Sequence, residues 1–156
     1  MQVKLNHLKD LHFKVSARNF KSIDLDEPES FHGTNLGPSP VEYLLIGIGG
    51  CLGSSFMFCL IKHGIEIENL EIIVDGKIHH KPPTMRLKLV QVDVKIMYLL
   101  KNLSQAELIE RCRSKFMKHC VVSDTLINGI PINVEFQKTE KNTKKSKKFN
   151  IRNNKR

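Results

Sequence analysis

Residues Tyr43 to Ile61 form a run of 19 without one charged side chain, yet the run holds Gly47, Gly49, Gly50, Gly53, Ser54, Ser55, Cys51 and Cys59. No other stretch of the 156-residue chain restricts its folding as much. Its length is about what spans the hydrocarbon of a bilayer. It nonetheless reads as a buried helix of a globular domain. Just ahead of it, Ser39 can cap, Pro40 can take the N1 position, and Glu42 can complete a capping box. Gly64, after about His63, supplies the stop. Four glycines cost an isolated helix about 0.8–1 kcal/mol each relative to alanine, so close packing has to compensate. Small residues let a neighbouring helix or sheet come nearer than the usual separation of about 8–10 Å. A helix covered on all sides in so short a chain calls for surface from a second subunit. The expectation is an obligate homodimer with no membrane span.

The flanking segments place this helix in a domain of mixed type. Gln2–Leu8, Leu11–Ser16 and Phe20–Leu25 alternate as a small meander of strands, and residues 26–38 read as a loop. Leu70–Ile78 and Arg86–Tyr98 follow as strands. In the second, Val90, Val92, Val94, Ile96 and Tyr98 alternate with polar positions. The IHHKPPT turn between them puts His79 and His80 toward water rather than on a metal. Ser104 and Glu107 form a second capping box for a helix to about His119, with Leu108, Ile109, Cys112, Phe116 and Cys120 along one stripe. Ile130–Phe136, after the Asn128–Gly129 turn, is a last strand. The order β-β-β-α-β-β-α-β argues for an α+β domain.

The net charge of +9 belongs mostly to the C-terminus. From Lys138 to Arg156, seven Lys and two Arg stand against Glu140, which puts +8 in the tail and leaves +1 for residues 1–137. The chain thus divides into a single nearly neutral domain, 1–137, and a Lys-rich tail, 138–156. The tail has too little apolar surface to order itself and reads as disordered and solubilising. Contact with nucleic acid through it is the lesser reading, since no aromatic platform or groove-reading helix accompanies the charge. The opening MQVKLNHLKD has no apolar core of a secretory signal, so the expected location is the cytoplasm.

In a reducing compartment Cys51, Cys59, Cys112 and Cys120 are not a secreted-type disulfide framework, and their spacing fits no zinc motif. Neither a metal nor another cofactor is called for. Cys51 and Cys59 stand eight residues apart on one helix, about 12 Å by helical rise, too far for a disulfide. The same holds for Cys112 and Cys120. A functional disulfide therefore joins the first helix to the second. Cys120, where the regular turns end, and Cys51, flanked by Gly50 and Gly53, are the better partners; Cys59 and Cys112, among bulky apolar residues, read as inert core.

The segment GPSPVEYLLIGIGGCLGSSFMF, followed some way on by KFMKHCVVSDTL, resembles the OsmC/Ohr superfamily of osmotically induced and organic-hydroperoxide-resistance proteins, nearest its OsmC-like redox branch. The resemblance covers residues 1–137. It implies an OsmC-like fold: an intertwined homodimer whose two long central helices are enclosed by mainly antiparallel sheets. It also implies a thiol peroxidase in which Cys51 is oxidised by an organic hydroperoxide to a sulfenic acid and Cys120 resolves it. A lipoyl-bearing or thioredoxin-like dithiol would restore the pair. Members of the superfamily place an arginine and a glutamate by the reactive thiol. Here Arg18, the only arginine before Cys51, and Glu42, one position from the family's glutamate, are the candidates for activating it, with Arg111, Arg113 and His119 as further cations. The alternative function is a dimeric module that binds an apolar ligand or a redox partner without efficient peroxidase activity.

Overall fold

The computed structural model describes residues 1–102, 105–116, 120–140 and 143–150. An antiparallel meander comes first: β1 (Val3–Lys9), β2 (His12–Ala17) and β3 (Phe20–Leu25), with Val3 opposite Ala17 and Phe13 opposite Leu25. The long helix α1 (Pro40–Lys62) follows, then an antiparallel hairpin of β4 (Ile67–Lys81) and β5 (Arg86–Leu100). Two helices, α2 (Ala106–Lys115) and α3 (Val121–Asn128), precede a second hairpin of β6 (Asn133–Glu140) and β7 (Thr143–Asn150). The class is α+β, as expected.

The entry to α1 is set by local chemistry. The Ser39 N–H donates to Glu42 Oε2 at 2.7 Å, and the Glu42 N–H donates back to Ser39 Oγ at 3.3 Å. Pro40 at N1 has no N–H to orphan. The preceding loop is organised by the buried Asp26 carboxylate. Its two oxygens accept from the N–H groups of Glu27, Thr34 and Leu36 at 2.8–3.1 Å and from the Thr34 hydroxyl. Tyr43 donates its hydroxyl to the Asp24 carbonyl and so ties the first turn of α1 to β3. At the other end Gly64 (φ +63°) turns the chain, and the Ile65 N–H returns to the Leu60 carbonyl.

The small residues of α1 serve two faces. Gly49 and Gly53 are buried, and a Cβ added to them would lie 2.7 Å from Val74 Cγ2 and 2.5 Å from Ile72 Cδ1. These glycines are what let β4 lie against the helix. Gly47 and Gly50 have nothing within 4 Å of the corresponding position, and with Ser54, Phe58 and Ile61 they form an exposed stripe at helical spacing. Gly49→Ala is expected to destabilise the fold by about 1–2 kcal/mol, because a β-branched strand residue cannot swing away and overpacking outweighs the gain in helix propensity. Gly53→Ala meets only the far end of Ile72 and should fall nearer to zero. Chemical denaturation of the two variants reads the difference.

Phe56, Leu60, Ile65, Ile109 and Cys112 form one core cluster between α1, α2 and the β4–β5 hairpin. Ile48, Leu52 and Cys120 form a second, between α1 and α3. Leu70, Ile72 and Val74 of β4 are half-buried and alternate with exposed Glu71, Ile73 and Asp75, so one face of the hairpin covers α1.

Two expectations differ from the structure. First, the chain after residue 119 forms a helix of its own. Asn128 ends that helix and Gly129 (φ +70°) caps it, where a turn into a strand was expected. The last strand accordingly starts at Asn133. Second, α2 has Gln105 at its N-cap without a side-chain cap bond, and Ser104 lies outside the described residues. β6 runs to Glu140 and β7 pairs with it, Asn133 opposite Asn150. Residues 151–156 lie outside the described residues. His79 and His80 fall within β4 and are exposed, and His80 Nδ1 sits 2.6 Å from the Met85 carbonyl oxygen.

Candidate active site

Cys51 lies midway along α1, half-buried, and Cys120 is the N-cap residue of α3, 1% exposed. The two thiols meet where α3 starts against α1, in the cluster built on Ile48 and Leu52. Cys120 does what a Ser or Asp N-cap does, its sulfur accepting the Ser123 N–H at 3.4 Å, with Ser123 Oγ at 3.1 Å. The first amides of α3 have no partner inside their own helix and point at the sulfurs.

These surroundings separate the two thiols electrostatically. Burial opposes ionisation of Cys120. The Ser123 hydroxyl, the Cys51 thiol and the N–H groups of Ser123 and Val122 outweigh it and hold Cys120 below the ordinary thiol range. For Cys51 burial dominates and pushes the thiol up. Cys120 adds to that rise, and the N–H groups of Val122 and Val121 reduce it without reversing it. The pair therefore carries its first negative charge on Cys120, with the Cys51 S–H donating to it. Thiolate rises with pH, so alkylation of the pair should climb through an apparent pKa below that of a free cysteine. Ser123→Ala removes a hydrogen bond to the charged form. It should move that midpoint up and slow alkylation severalfold at neutral pH, about the effect of one lost hydrogen bond to a charged group. A pH series with a fluorogenic alkylating agent checks both.

The expected activating groups sit elsewhere in this chain. Arg18 turns the corner between β2 and β3 (φ +53°), and its guanidinium lies over the Phe20 ring, 5.4 Å from the centroid. Glu42 is engaged with Ser39, whose backbone N–H and hydroxyl hold the carboxyl below its usual range. It stands nine residues before Cys51, about 180° around the helix and about 13.5 Å along it. Arg111 pairs with Glu107 and Arg113 with Glu110; His119 lies outside the described residues. The amides at the start of α3 lessen the burial-driven rise at Cys51 without reversing it.

An apolar cleft of about 660 Å³ is lined by Ile48, Leu52, Val92, Phe116 and Leu126, with Ser123 among its polar contributors; it shares Ile48, Leu52, Phe116 and Ser123 with the surroundings of the thiols, and neither cysteine lines it. It suits an apolar group.

Cys59 and Cys112, expected to be inert, are joined as a disulfide between α1 and α2, with Cα atoms 5.7 Å apart. Helical rise separates Cys59 from Cys51 but sets no limit across helices. Apolar neighbours surround a buried disulfide as readily as a buried thiol, so they do not tell the two apart. His63, one turn after Cys59, places Nδ1 3.7 Å and 3.9 Å from the two sulfurs.

The family model for OsmC-like protein matches residues 33–135, which include Cys51 and Cys120. Among solved structures, an OsmC-like protein from Mycoplasma pneumoniae superposes with a TM-score of 0.67 at 20% identity, over 81% of this chain and 86% of that one. An organic hydroperoxide resistance protein OsmC from Legionella pneumophila gives 0.56 at 18% identity, over 80% and 87%. An organic hydroperoxide resistance protein from Elizabethkingia anophelis gives 0.56 at 15%, over 79% and 85%. No curated protein matches by sequence.

Proposed function

Since the chain belongs to the OsmC-like family, we propose that it is a cysteine-based thiol peroxidase that reduces organic hydroperoxides through Cys51 and Cys120. The observation that carries this reading is the Cys51–Cys120 thiol pair at the start of α3, with an apolar cleft that shares residues with its surroundings. The names of the Legionella and Elizabethkingia neighbours point the same way.

Cys51 is the more exposed sulfur and takes the peroxide. Its proton passes across the S–H···S contact to the Cys120 thiolate, which acts as the local base. The Cys51 thiolate attacks the terminal peroxide oxygen and the O–O bond breaks. The alkoxide leaves as alcohol with one proton, and Cys51 becomes a sulfenic acid. Cys120 then attacks the Cys51 sulfur, and the hydroxyl leaves as water. Two thiols have lost two electrons, and the hydroperoxide has become alcohol and water. An external dithiol, lipoyl-bearing or thioredoxin-like, restores the pair by exchange.

The exposed stripe of Gly47, Gly50, Ser54, Phe58 and Ile61 supports a homodimer in which the α1 helices of two copies approach closely. Light scattering at micromolar concentration should give twice the chain mass, and Gly50→Leu should lower it toward one. The cytoplasm, where dithiol reductants are at hand, remains the proposed location.

The test of the activity is steady-state consumption of cumene hydroperoxide and of hydrogen peroxide with dihydrolipoamide as reductant. Turnover at least tenfold faster with the organic peroxide is expected. Consumption no faster than the protein-free control overturns the reading in favour of a non-catalytic module that binds apolar ligands.

A further inference from the structure

We propose that reduction of the Cys59–Cys112 disulfide opens a binding site for a soft divalent cation such as Zn²⁺, with Cys59, His63 and Cys112 as its three protein ligands. The site lies at the far end of α1 from Cys51, about 12 Å along the helix, and its function is independent of the peroxidase reading.

The geometry is already close to what such an ion requires. Cys59 and His63 stand four residues apart and so share one face of α1, and Cys112 comes across from α2. One ligand atom from each residue, the two sulfurs and a ring nitrogen, all lie within 4.8 Å of one another. With Zn–S near 2.3 Å and Zn–N near 2.0–2.1 Å, tetrahedral ligand atoms sit roughly 3.5–3.8 Å apart. The Nδ1-to-sulfur distances of 3.7 and 3.9 Å lie within a few tenths of an ångström of that range. Once the S–S bond is gone, rotation about the Cα–Cβ bonds brings the sulfurs to that spacing across a Cα separation of 5.7 Å.

Charge argues for the same occupant. Cys112 is fully buried among Phe56, Leu60 and Ile109, where a lone thiolate is costly. Two thiolates on a divalent ion form a neutral group that suits this setting. His63 is exposed and Cys59 half-buried, which leaves the fourth position open to water.

The steps balance. An external dithiol gives two electrons and two protons to the disulfide and is itself oxidised to a disulfide; the ion then displaces one proton from each thiol. In the oxidised form His63 Nδ1 is 2.8 Å from the Cys59 carbonyl oxygen, to which it donates. On binding, that hydrogen bond is exchanged for a metal bond, and Nε2 carries the ring proton toward solvent. Oxidation and occupancy therefore exclude each other.

The test uses the full chain with Cys51→Ser and Cys120→Ser, so that no other thiol can bind metal. The protein is reduced with a phosphine, desalted without oxygen, and titrated with Co²⁺ and then Zn²⁺. One Co²⁺ per chain, with thiolate-to-cobalt charge-transfer absorption and displacement by one Zn²⁺, is expected. The disulfide form should bind none. His63→Ala, an exposed change whose folding circular dichroism can verify, should weaken binding at least tenfold, and Cys59→Ser should remove the charge-transfer band. No uptake by the reduced protein overturns the proposal. So does uptake that survives oxidation, or that is unchanged by His63→Ala or Cys59→Ser.

Discussion

Replacing Cys51 with Ser is expected to lower organic hydroperoxide reduction by on the order of 10³-fold or more, the scale seen when a nucleophile that works as part of a unit is removed. Serine keeps the size and loses the polarisable sulfur that attacks the O–O bond. The variant should still fold, since Cys51 is half-buried and serine is no larger than cysteine. Cys120→Ser should behave differently. The first oxidation still occurs at Cys51, but the sulfenic acid has no resolving thiol and accumulates, where dimedone traps it as a mass adduct on the peptide containing Cys51. Its formation should also slow, because the variant loses the thiolate that takes the Cys51 proton. Full activity in Cys51→Ser, or no trapped adduct on Cys51 in Cys120→Ser, would assign the chemistry elsewhere.

Asp26→Ala should give the largest stability effect of any single change outside the two core clusters, lowering Tm by on the order of 10 °C. The carboxylate is the common acceptor for three backbone N–H groups and the Thr34 hydroxyl, and it sets the loop that delivers Ser39 to the start of α1. Alanine leaves those donors without a partner. Asparagine does little better, because its amide nitrogen faces donors. The Thr34 hydroxyl, ahead of burial and the backbone donors, sets the direction of the shift, and the carboxyl is held below its ordinary range. Its contribution is thus present above the ordinary carboxylate pKa and fades as pH falls through the depressed value. Tm measured from pH 7 down to pH 3 should fall more steeply for the wild-type chain than for Asp26→Asn.

What could be read from the sequence was what local chemistry decides. Ser39, Pro40 and Glu42 announce the start of α1 because every partner in a capping box lies within three residues. The meander of β1 to β3 and the β4–β5 hairpin carry their alternation in plain view. Helical rise excludes a Cys51–Cys59 bridge but does not bear on Cys112 and Cys120, which fall in separate helices; the small neighbours of Cys51 and the end position of Cys120 point to the pair that the fold does bring together. Helical rise could not pair Cys59 with Cys112, because that contact depends on how α2 lies against α1. Helix α3 has its signals in the sequence: Ser123 and Asp124 in the first turn, and Gly129 after Asn128 as a C-cap. Asn-Gly also opens hairpins, so the pair alone does not tell a helix end from a turn into a strand. The amides of Val121 and Val122 that reach Cys51 belong to a helix distant in sequence and come into reach only on folding.

The most direct test of the peroxidase account is to treat the fully reduced chain with one equivalent of cumene hydroperoxide and map its disulfides by mass spectrometry. The expected product is a single Cys51–Cys120 bridge, formed with loss of one equivalent of peroxide. Recovery of both thiols free, with the peroxide unconsumed or spent only on Cys59 and Cys112, would contradict it.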